Sequence, residues 1–251
     1  MKTNIEIEKR FKELADRSYS ENRYVFTDFL DMLQLSAFYA IERELSFAGL
    51  TVFGGIDGCE RCMVRFGSID NCGYDESFPI TLLHVSPLQK KFAETLTHRD
   101  FLGSVIGLGI ERTKLGDIFV KENECYIFVA DSISEYILEN LSSVKHTSVK
   151  VQVCESIPDS ITPEISEESI IVSSNRLDAI IARVYKLSRD MAIKVISEGK
   201  VFVNGREMTG NAKSLKEGDI VSVRGKGRFI YDGDEGITRK NKLSVRIKRY
   251  V

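Results

Sequence analysis

The sequence lacks several features that would place it in a specialised class of protein. It contains no tryptophan, four prolines and three histidines among 251 residues. Its longest stretch without a charged residue, 77–89, has 13 residues, whereas a membrane-spanning helix needs about 20 apolar ones. The first residues, MKTNIEIEKRFKEL, alternate acids and bases and lack the apolar segment of a signal peptide. We therefore expect a cytoplasmic protein with no membrane partner.

Cysteine is also scarce, with five residues at irregular spacing. An odd number without a regular framework indicates reduced thiols. Cys59 and Cys62, with Cys72 and His84 downstream, suggest zinc, but a second cysteine pair with matching spacing is missing, and zinc usually takes four ligands. The glycines of 107–109 also lack the third glycine of a dinucleotide-binding loop. The sequence predicts neither a metal site nor a cofactor.

The composition is that of a globular protein, with 43% hydrophobic and 29% charged residues. The net charge of -2 conceals a strong asymmetry between the two parts of the chain. Residues 175–251 contain 18 Lys and Arg against 9 Asp and Glu, and residues 1–174 contain 17 against 28. Such asymmetry favours a polyanion partner for the basic part, and a solvated charged surface is the alternative. The acidic part would face a protein partner.

An acidic segment separates these two parts. No basic residue occurs between Lys150 and Arg176, and the stretch contains five acids and the prolines Pro158 and Pro163. Because proline fixes one backbone dihedral and has no amide donor, this stretch reads as a linker. We predict an N-terminal α/β region at 1–79, a middle domain at 80–155, an acidic linker at 156–174 and a basic domain at 175–251.

Before the linker, hydrophobic periodicity predicts an α+β fold. An N-terminal helical segment over Phe29–Ala48 is followed by two short strands. The middle domain has the order β-α-β-β-α-β, which is the split βαβ arrangement of ferredoxin-like and RRM-like domains. Its predicted elements are Ile80–Val85, Thr97–Gly107, Asp117–Val120, Cys125–Ala130, Ser132–Leu141 and Val149–Cys154.

The basic domain reads as two helices followed by a small curled sheet. Asn175 and Asp178 have the spacing of a helix-capping pair. Apolar residues at helical spacing then predict one buried face. Ser188 can cap a second helix that runs to about Glu198, and Asn204-Gly205 favours a tight hairpin turn. The buried face of the first helix comprises Leu177, Ile180, Ile181 and Val184.

This architecture would fix several cations on one surface. The amides that open the second helix add partial positive charge, which favours phosphate. Taken singly, each cation could equally form a surface ion pair. Together they favour phosphate contact by Arg176, Arg183, Arg189, Lys200, Arg224, Lys226 and Arg228.

The segment RLDAIIARVYKLSRDMAIKVISEGKVFVNGREM, followed by LKEGDIVSVRGKGRF, resembles the S-four RNA-binding domain of a small-subunit ribosomal protein. The resemblance covers about 175–229. It implies binding to structured RNA through shape and backbone. The positions that it implies as RNA contacts are Arg176, Ser188, Arg189, Lys194, Lys200, Asn204 and the RGKGR segment.

The rest of the chain resembles bacterial YlmH-like proteins. The resemblance is carried by TDFLD at 27–31, by Gly54-Gly55 with Glu60-Arg61, and by THRDFLGSVIGLGIERTKLGDI. It implies a split βαβ domain before the S-four domain and a gene in a cell-division cluster. Related small proteins associate with the large ribosomal subunit when stalled translation is rescued, so the resemblance implies a ribosome partner.

We therefore expect a noncatalytic protein that binds ribosomal RNA or ribosome-bound tRNA. Two alternatives stay open. The S-four domain is often fused to RNA-modifying enzymes, although residues 1–174 show no pseudouridine synthase or methyltransferase signature. The protein could also be a structural cell-division factor for which RNA binding is incidental.

Overall fold

The computed structural model describes residues 4–162 and 165–250, so Pro163 and Glu164 of the predicted linker lie outside the described residues. The chain divides into two compact units. Unit 1 comprises Met1–Gln34 and Ile41–Thr162, and unit 2 comprises Leu35–Ala40 and Pro163–Val251. Within the described ranges, no helix is both long and apolar enough to cross a membrane.

The chain up to Thr162 alternates helices and strands. Its helices are α1 (Asn4–Glu21), α2 (Met32–Ile41), α3 (Ile69–Cys72), α4 (His98–Gly107) and α5 (Asp131–Asn140). Its strands are β1 (Val25–Phe26), β2 (Leu50–Phe53), β3 (Met63–Phe66), β4 (Ile80–Pro87), β5 (Leu115–Lys121), β6 (Glu124–Ala130), β7 (Ser143–Val144) and β8 (Thr147–Val153).

The helix predicted over Phe29–Ala48 is shorter in the structure. The side chain of Asp31 accepts hydrogen bonds from the amides of Leu33 and Gln34 at 2.9 Å, and the Asp31 amide donates to Gln34 Oε1 at 2.9 Å. This reciprocal cap starts α2 at Met32, because it satisfies amides that have no partner within the helix.

The middle sheet confirms the predicted split βαβ arrangement. Its strand order is β5-β6-β4-β8-β7, and every pair is antiparallel. Alternate residues of a strand face opposite sides of a sheet. On one side, Leu83 and Ile127 share a core with Phe101 of α4 and Ile137 of α5.

The opposite side of this sheet is covered by the N-terminal part of unit 1. Leu82 and Phe128 of the sheet pack with Phe29, Met63 and Ile161. The boundary predicted between residues 79 and 80 therefore falls inside one hydrophobic core. Short-range periodicity could not reveal this, because it does not show which surfaces meet.

Several residues that carry the YlmH resemblance hold unit 1 together. The backbone amides of Glu60 and Arg61 donate to the carboxylate of Asp117 at 2.6 and 3.1 Å. The Arg61 guanidinium donates to the carbonyls of Leu115, Phe29 and Arg112 at 2.8–3.1 Å. Burial, together with the charge of Arg61, lowers the pKa of Arg112 to about 10.

Gly55 belongs to the same contact region. It has a φ of 114°, and a Cβ there would lie 2.3 Å from the Phe128 ring. Only glycine fits such a position, because other residues rarely adopt this backbone conformation. The second glycine of the Gly54-Gly55 motif is thus explained by close packing on the middle sheet, and the first by close approach to Cys59 and the Arg61 carbonyl.

Unit 2 builds on two helices and one sheet. The helices are α6 (Leu177–Val184) and α7 (Arg189–Ser197). The strands are β9 (Ile165–Val172), β10 (Val201–Val203), β11 (Arg206–Glu207), β12 (Ile220–Val223), β13 (Gly227–Ile237) and β14 (Leu243–Tyr250). They form a six-stranded sheet of order β11-β10-β12-β13-β14-β9.

The predicted apolar faces of both helices form the core of unit 2. The stripe from Leu177 to Val184 on α6 is buried, as are Ala192, Val195 and Ile196 on α7. They pack against strand residues that include Val203, Val223 and Phe229. The α+β fold class, with two helices and a small sheet at the C-terminal end, is confirmed.

The predicted linker differs from the structure. Its second half is β9, which pairs with β14 from Ile165↔Tyr250 to Val172↔Leu243. Glu167 of β9 lies opposite Lys248 of β14, with 3.7 Å between the carboxylate and the ammonium. The acidic run therefore complements a basic strand about 80 residues later in the sequence, and a local charge pattern could not show that pairing.

We predict that Phe229→Ala lowers the free energy of unfolding by about 3–5 kcal/mol, because a fully buried ring is replaced by a cavity. Ile237→Ala on the same strand is the matched control, since Ile237 is exposed, and its effect should stay within about 0.5 kcal/mol. Urea unfolding followed by circular dichroism measures both. Equal effects of the two changes would contradict the assigned core.

Candidate RNA-binding surface

A buried carboxylate holds two of the predicted arginines in place. The side chain of Asp178 is 1% exposed. It accepts hydrogen bonds from Nε and Nη2 of Arg176 at 3.2 Å, and from Nε and Nη2 of Arg189 at 3.0–3.1 Å. Arg189 Nη1 also donates to the Ser173 hydroxyl at 3.3 Å. The carboxylate therefore fixes both guanidiniums beside the N-terminal ends of α6 and α7.

The electrostatics of this cluster leave an excess positive charge facing solvent. Burial acts to raise the pKa of Asp178, but the hydrogen bonds and charges of Arg176 and Arg189 outweigh it, and the pKa lies below its usual value. One negative charge thus faces two positive ones, and each arginine side chain is still about 40% exposed. We define Arg176, Asp178 and Arg189 as the arginine clamp.

The predicted cap of α6 is wrong. Arg176, not Asn175, is the N-cap residue, and no side chain caps this end. Asp178 holds the two arginines instead of completing a capping pair. The sequence does indicate that Asp178 binds cations. Asp178 lies between the apolar residues Leu177 and Ile181 of the helix face, and a buried acid requires cationic partners.

The turn between β12 and β13 presents a second group of cations. Arg224 and Lys226 are exposed, and neither has an acidic side chain within 4 Å in the part of the chain that the structure describes. Gly225 and Gly227 shape this turn with φ of 76° and 105°. The amide of Arg224 donates to the carbonyl of Lys200 at 2.8 Å, so Lys200 lies beside the turn.

Three other predicted cations are partly engaged. Lys200 contacts Glu198 at 2.7 Å, and Lys194 lies 3.9 Å from the same carboxylate. The Arg228 guanidinium stacks on the Tyr250 ring, 4.2 Å from the ring centroid. All three residues keep their positive charge, and Glu198 offsets part of the charge of Lys194 and Lys200.

Ser188 and Asn204 have structural roles in the surface. The Ser188 hydroxyl accepts from the Met191 amide at 3.2 Å and caps α7 as predicted. The Asn204 side-chain amide donates to Asp219 and accepts from the Ile220 amide, both at 2.8 Å. We therefore assign both residues a structural role, in which they hold the elements that carry the cations. Direct RNA contact by Ser188 or Asn204 stays a prediction.

Arg183 lies on the exposed side of α6, two turns beyond Arg176. There it lines a groove with three cations that the sequence reading did not single out, Arg239, Lys240 and Lys242. The signal for them was present as the Arg-Lys-Asn-Lys run at 239–242. It was missed because no family motif covers it.

The cysteines show no arrangement typical of a metal centre. Over residues 4–162 and 165–250, no three His, Cys, Asp or Glu side chains come together in a way that could hold an ion. The Cys62 thiol donates to the Cys59 carbonyl at 3.4 Å. Burial, reinforced by Asp117, raises the pKa of the Cys59 thiol, which keeps it protonated at neutral pH.

Two family models match the two regions whose geometry is described above. Residues 74–157 match the model described as "Putative RNA-binding domain in YlmH", and residues 175–221 match the S4 domain. The chain thus contains a YlmH-type RNA-binding domain and a C-terminal S4 domain. The arginine clamp lies within the S4 match, whereas the turn at 224–228 lies beyond it.

A curated relative covers nearly the whole chain. It is the "Ribosome-associated protein quality control protein P2" of Bacillus subtilis (strain 168), 28% identical over 243 residues, which are 95% of this chain and 91% of the relative. The solved "Cell division protein ylmH from Streptococcus pneumoniae" superposes with a TM-score of 0.47 and 22% identity, over 60% of this chain and 90% of that one.

The clamp predicts a pH dependence of stability. Because the folded pKa of Asp178 lies below its unfolded value of about 3.9, its ion pairs stabilise the protein fully above that pH and are lost as the pH falls through the folded pKa. Asp178→Asn should lower the free energy of unfolding by about 1–3 kcal/mol at pH 7. The difference from the wild type should shrink as the pH falls below about 4 and disappear below the folded pKa of Asp178.

The measurement is urea unfolding by circular dichroism at a series of pH values. Asp190→Asn is the matched control, because Asp190 is an exposed acid in the first turn of α7. A destabilisation by Asp178→Asn that is the same at pH 7 and pH 3 would show that the carboxylate charge is not responsible.

Proposed function

We propose that this YlmH-like chain is a noncatalytic protein that binds structured RNA on the ribosome through its S4 domain. The observation that carries the proposal is the arginine clamp, in which a buried carboxylate orients two exposed guanidiniums before any ligand arrives. Preorganised donors lose little conformational freedom on binding, which favours affinity. Planar guanidiniums also match the geometry of phosphate oxygens.

The surface suits recognition of a folded backbone. Its contacts would come from Arg176, Arg189, Arg224 and Lys226, whose positions are set by helix ends and a glycine turn. Such side chains contact phosphates along one groove of a helix without reading the bases. Double-stranded RNA is recognised in this way, by shape and backbone.

The same residues argue against catalysis. Arginine stays protonated at all physiological pH values and cannot act as a general base, and the only carboxylate in the clamp is buried and ion-paired. The surface therefore offers cations for binding, and the proposal includes no covalent change to the RNA. Among the described residues, no specific contact favours an RNA-modifying activity or a purely structural role in cell division.

The name of the curated relative supports a cellular setting for this binding. The curated relative is named for ribosome-associated quality control, so we propose ribosomal RNA or ribosome-bound tRNA on the large subunit as the ligand. The proposed setting is translation quality control in the cytoplasm. The resemblance of the sequence to YlmH-like proteins implies a link to cell division, and we propose that a division phenotype would follow indirectly from translation.

Cosedimentation of the full chain with purified ribosomal subunits tests the proposal. We expect the protein with the large subunit, released as salt rises, because neutralising phosphates liberates counterions. Arg224→Glu with Lys226→Glu should weaken binding about tenfold and reduce the salt slope by roughly one per lost contact.

The matched control reverses two exposed cations of α1, Lys9→Glu with Arg17→Glu, and changes the net charge equally. We expect the control to bind like the wild type. Absence of the wild-type chain from both subunits, or binding indifferent to salt, would overturn the proposal. Loss of a ribosomal RNA modification in a deletion strain, detected by mass spectrometry, would show that the noncatalytic part is wrong.

A further inference from the structure

A groove on unit 2 is lined almost entirely by cations. It has a volume of about 490 Å³. Arg183 of α6 forms part of its wall, and the turn between β13 and β14 contributes Arg239, Lys240 and Lys242. The remaining lining residues are Ile171 and Thr238, so no acid lines the groove.

The turn that contributes these cations is hydrogen-bonded. The Thr238 amide donates to the Lys242 carbonyl at 2.7 Å, and the Lys242 amide donates to the Thr238 hydroxyl at 3.1 Å. Asn241 completes the turn with a φ of 54°. These hydrogen bonds hold the backbone that carries the three cations.

Nearby acids are engaged elsewhere. Glu235, the acid nearest to the turn in sequence, accepts from the hydroxyls of Ser169 and Ser244 at 3.0 and 2.9 Å. Across the described ranges, none of the four groove cations has a carboxylate within 4 Å. Four unneutralised cations around one concave surface repel one another unless an anion binds.

The groove continues the surface of the arginine clamp. Arg176 and Arg183 are seven residues apart, which is close to two helical turns, so they lie on the same side of α6 and about 10 Å apart along its axis. Ile171, which is half exposed, adds an apolar surface on which a sugar can rest. Successive phosphates of one strand could contact the clamp and the groove.

We propose that this groove is a second phosphate-binding site, which extends the RNA footprint beyond the matched S4 segment onto the β13–β14 hairpin. The ligand class is the sugar-phosphate backbone of RNA. This inference rests on the proposed function and adds a surface that the S4 match at 175–221 does not include, apart from Arg183.

Filter binding of the full chain to transcribed large-subunit ribosomal RNA, over a range of salt concentrations, tests the groove. The variant Arg239→Ser with Lys240→Ser and Lys242→Ser should bind at least tenfold more weakly. Its slope of log affinity against log salt should shrink by roughly 3, about one for each lost phosphate contact. Arg183→Ser, which leaves the hairpin intact, should reduce the slope by roughly 1.

A matched control removes the same charge from residues outside both family matches, with Lys9→Ser, Arg17→Ser and Arg43→Ser, all exposed. It should retain the wild-type slope. If the wild type binds with a salt slope and the groove variants match it, the groove inference is overturned and the proposed function stands. If the wild type shows no salt-dependent binding, both are overturned.

Discussion

The architecture of the basic surface depends on the burial of one carboxylate. Asp178 is placed among apolar neighbours by the geometry of α6, and a buried charge is tolerated only when it is paired and hydrogen-bonded. Arg176 and Arg189 supply that pairing from the first residues of the two helices, the N-cap of α6 and the start of α7. The same bonds that make the buried acid acceptable thus orient the exposed guanidiniums, so stability and binding geometry have one origin.

The charge of unit 2 is distributed unevenly by its sheet. Several cations of β14 are neutralised: Arg246 and Lys248 contact Asp232, and Arg249 faces Glu168 of β9. Arg176 and Arg189 share the single carboxylate of Asp178, and among the described residues the cations Arg224, Lys226, Arg183, Arg239, Lys240 and Lys242 have no carboxylate within 4 Å. The acids of β9 and β13 therefore restrict the free positive charge to part of the surface, which a net charge for residues 175–251 cannot show.

Unit 1 shows how motif residues can serve the fold. Gly55, Arg61 and Asp117 carry much of the YlmH resemblance, yet each is explained by packing or by hydrogen bonds between the N-terminal part and the middle sheet. Phe128, which lies on the same face of β6 as Tyr126, is buried beneath this contact. A motif in the sequence is therefore not sufficient evidence for a ligand contact.

The sequence by itself determined the order of elements in the middle domain, the apolar faces of α6 and α7, the Ser188 cap and the Asn204-Gly205 turn, because these depend on neighbours within a few residues. Only the tertiary structure decided that Asp178 binds two arginines, that the acidic segment at 165–172 is a strand, and that Arg183 meets the 239–242 turn. Apart from the contact of Asp178 with Arg176, those features join residues 11 to 85 positions apart. Pairing over such distances is set by chain packing, which hydrophobic periodicity and local charge do not encode.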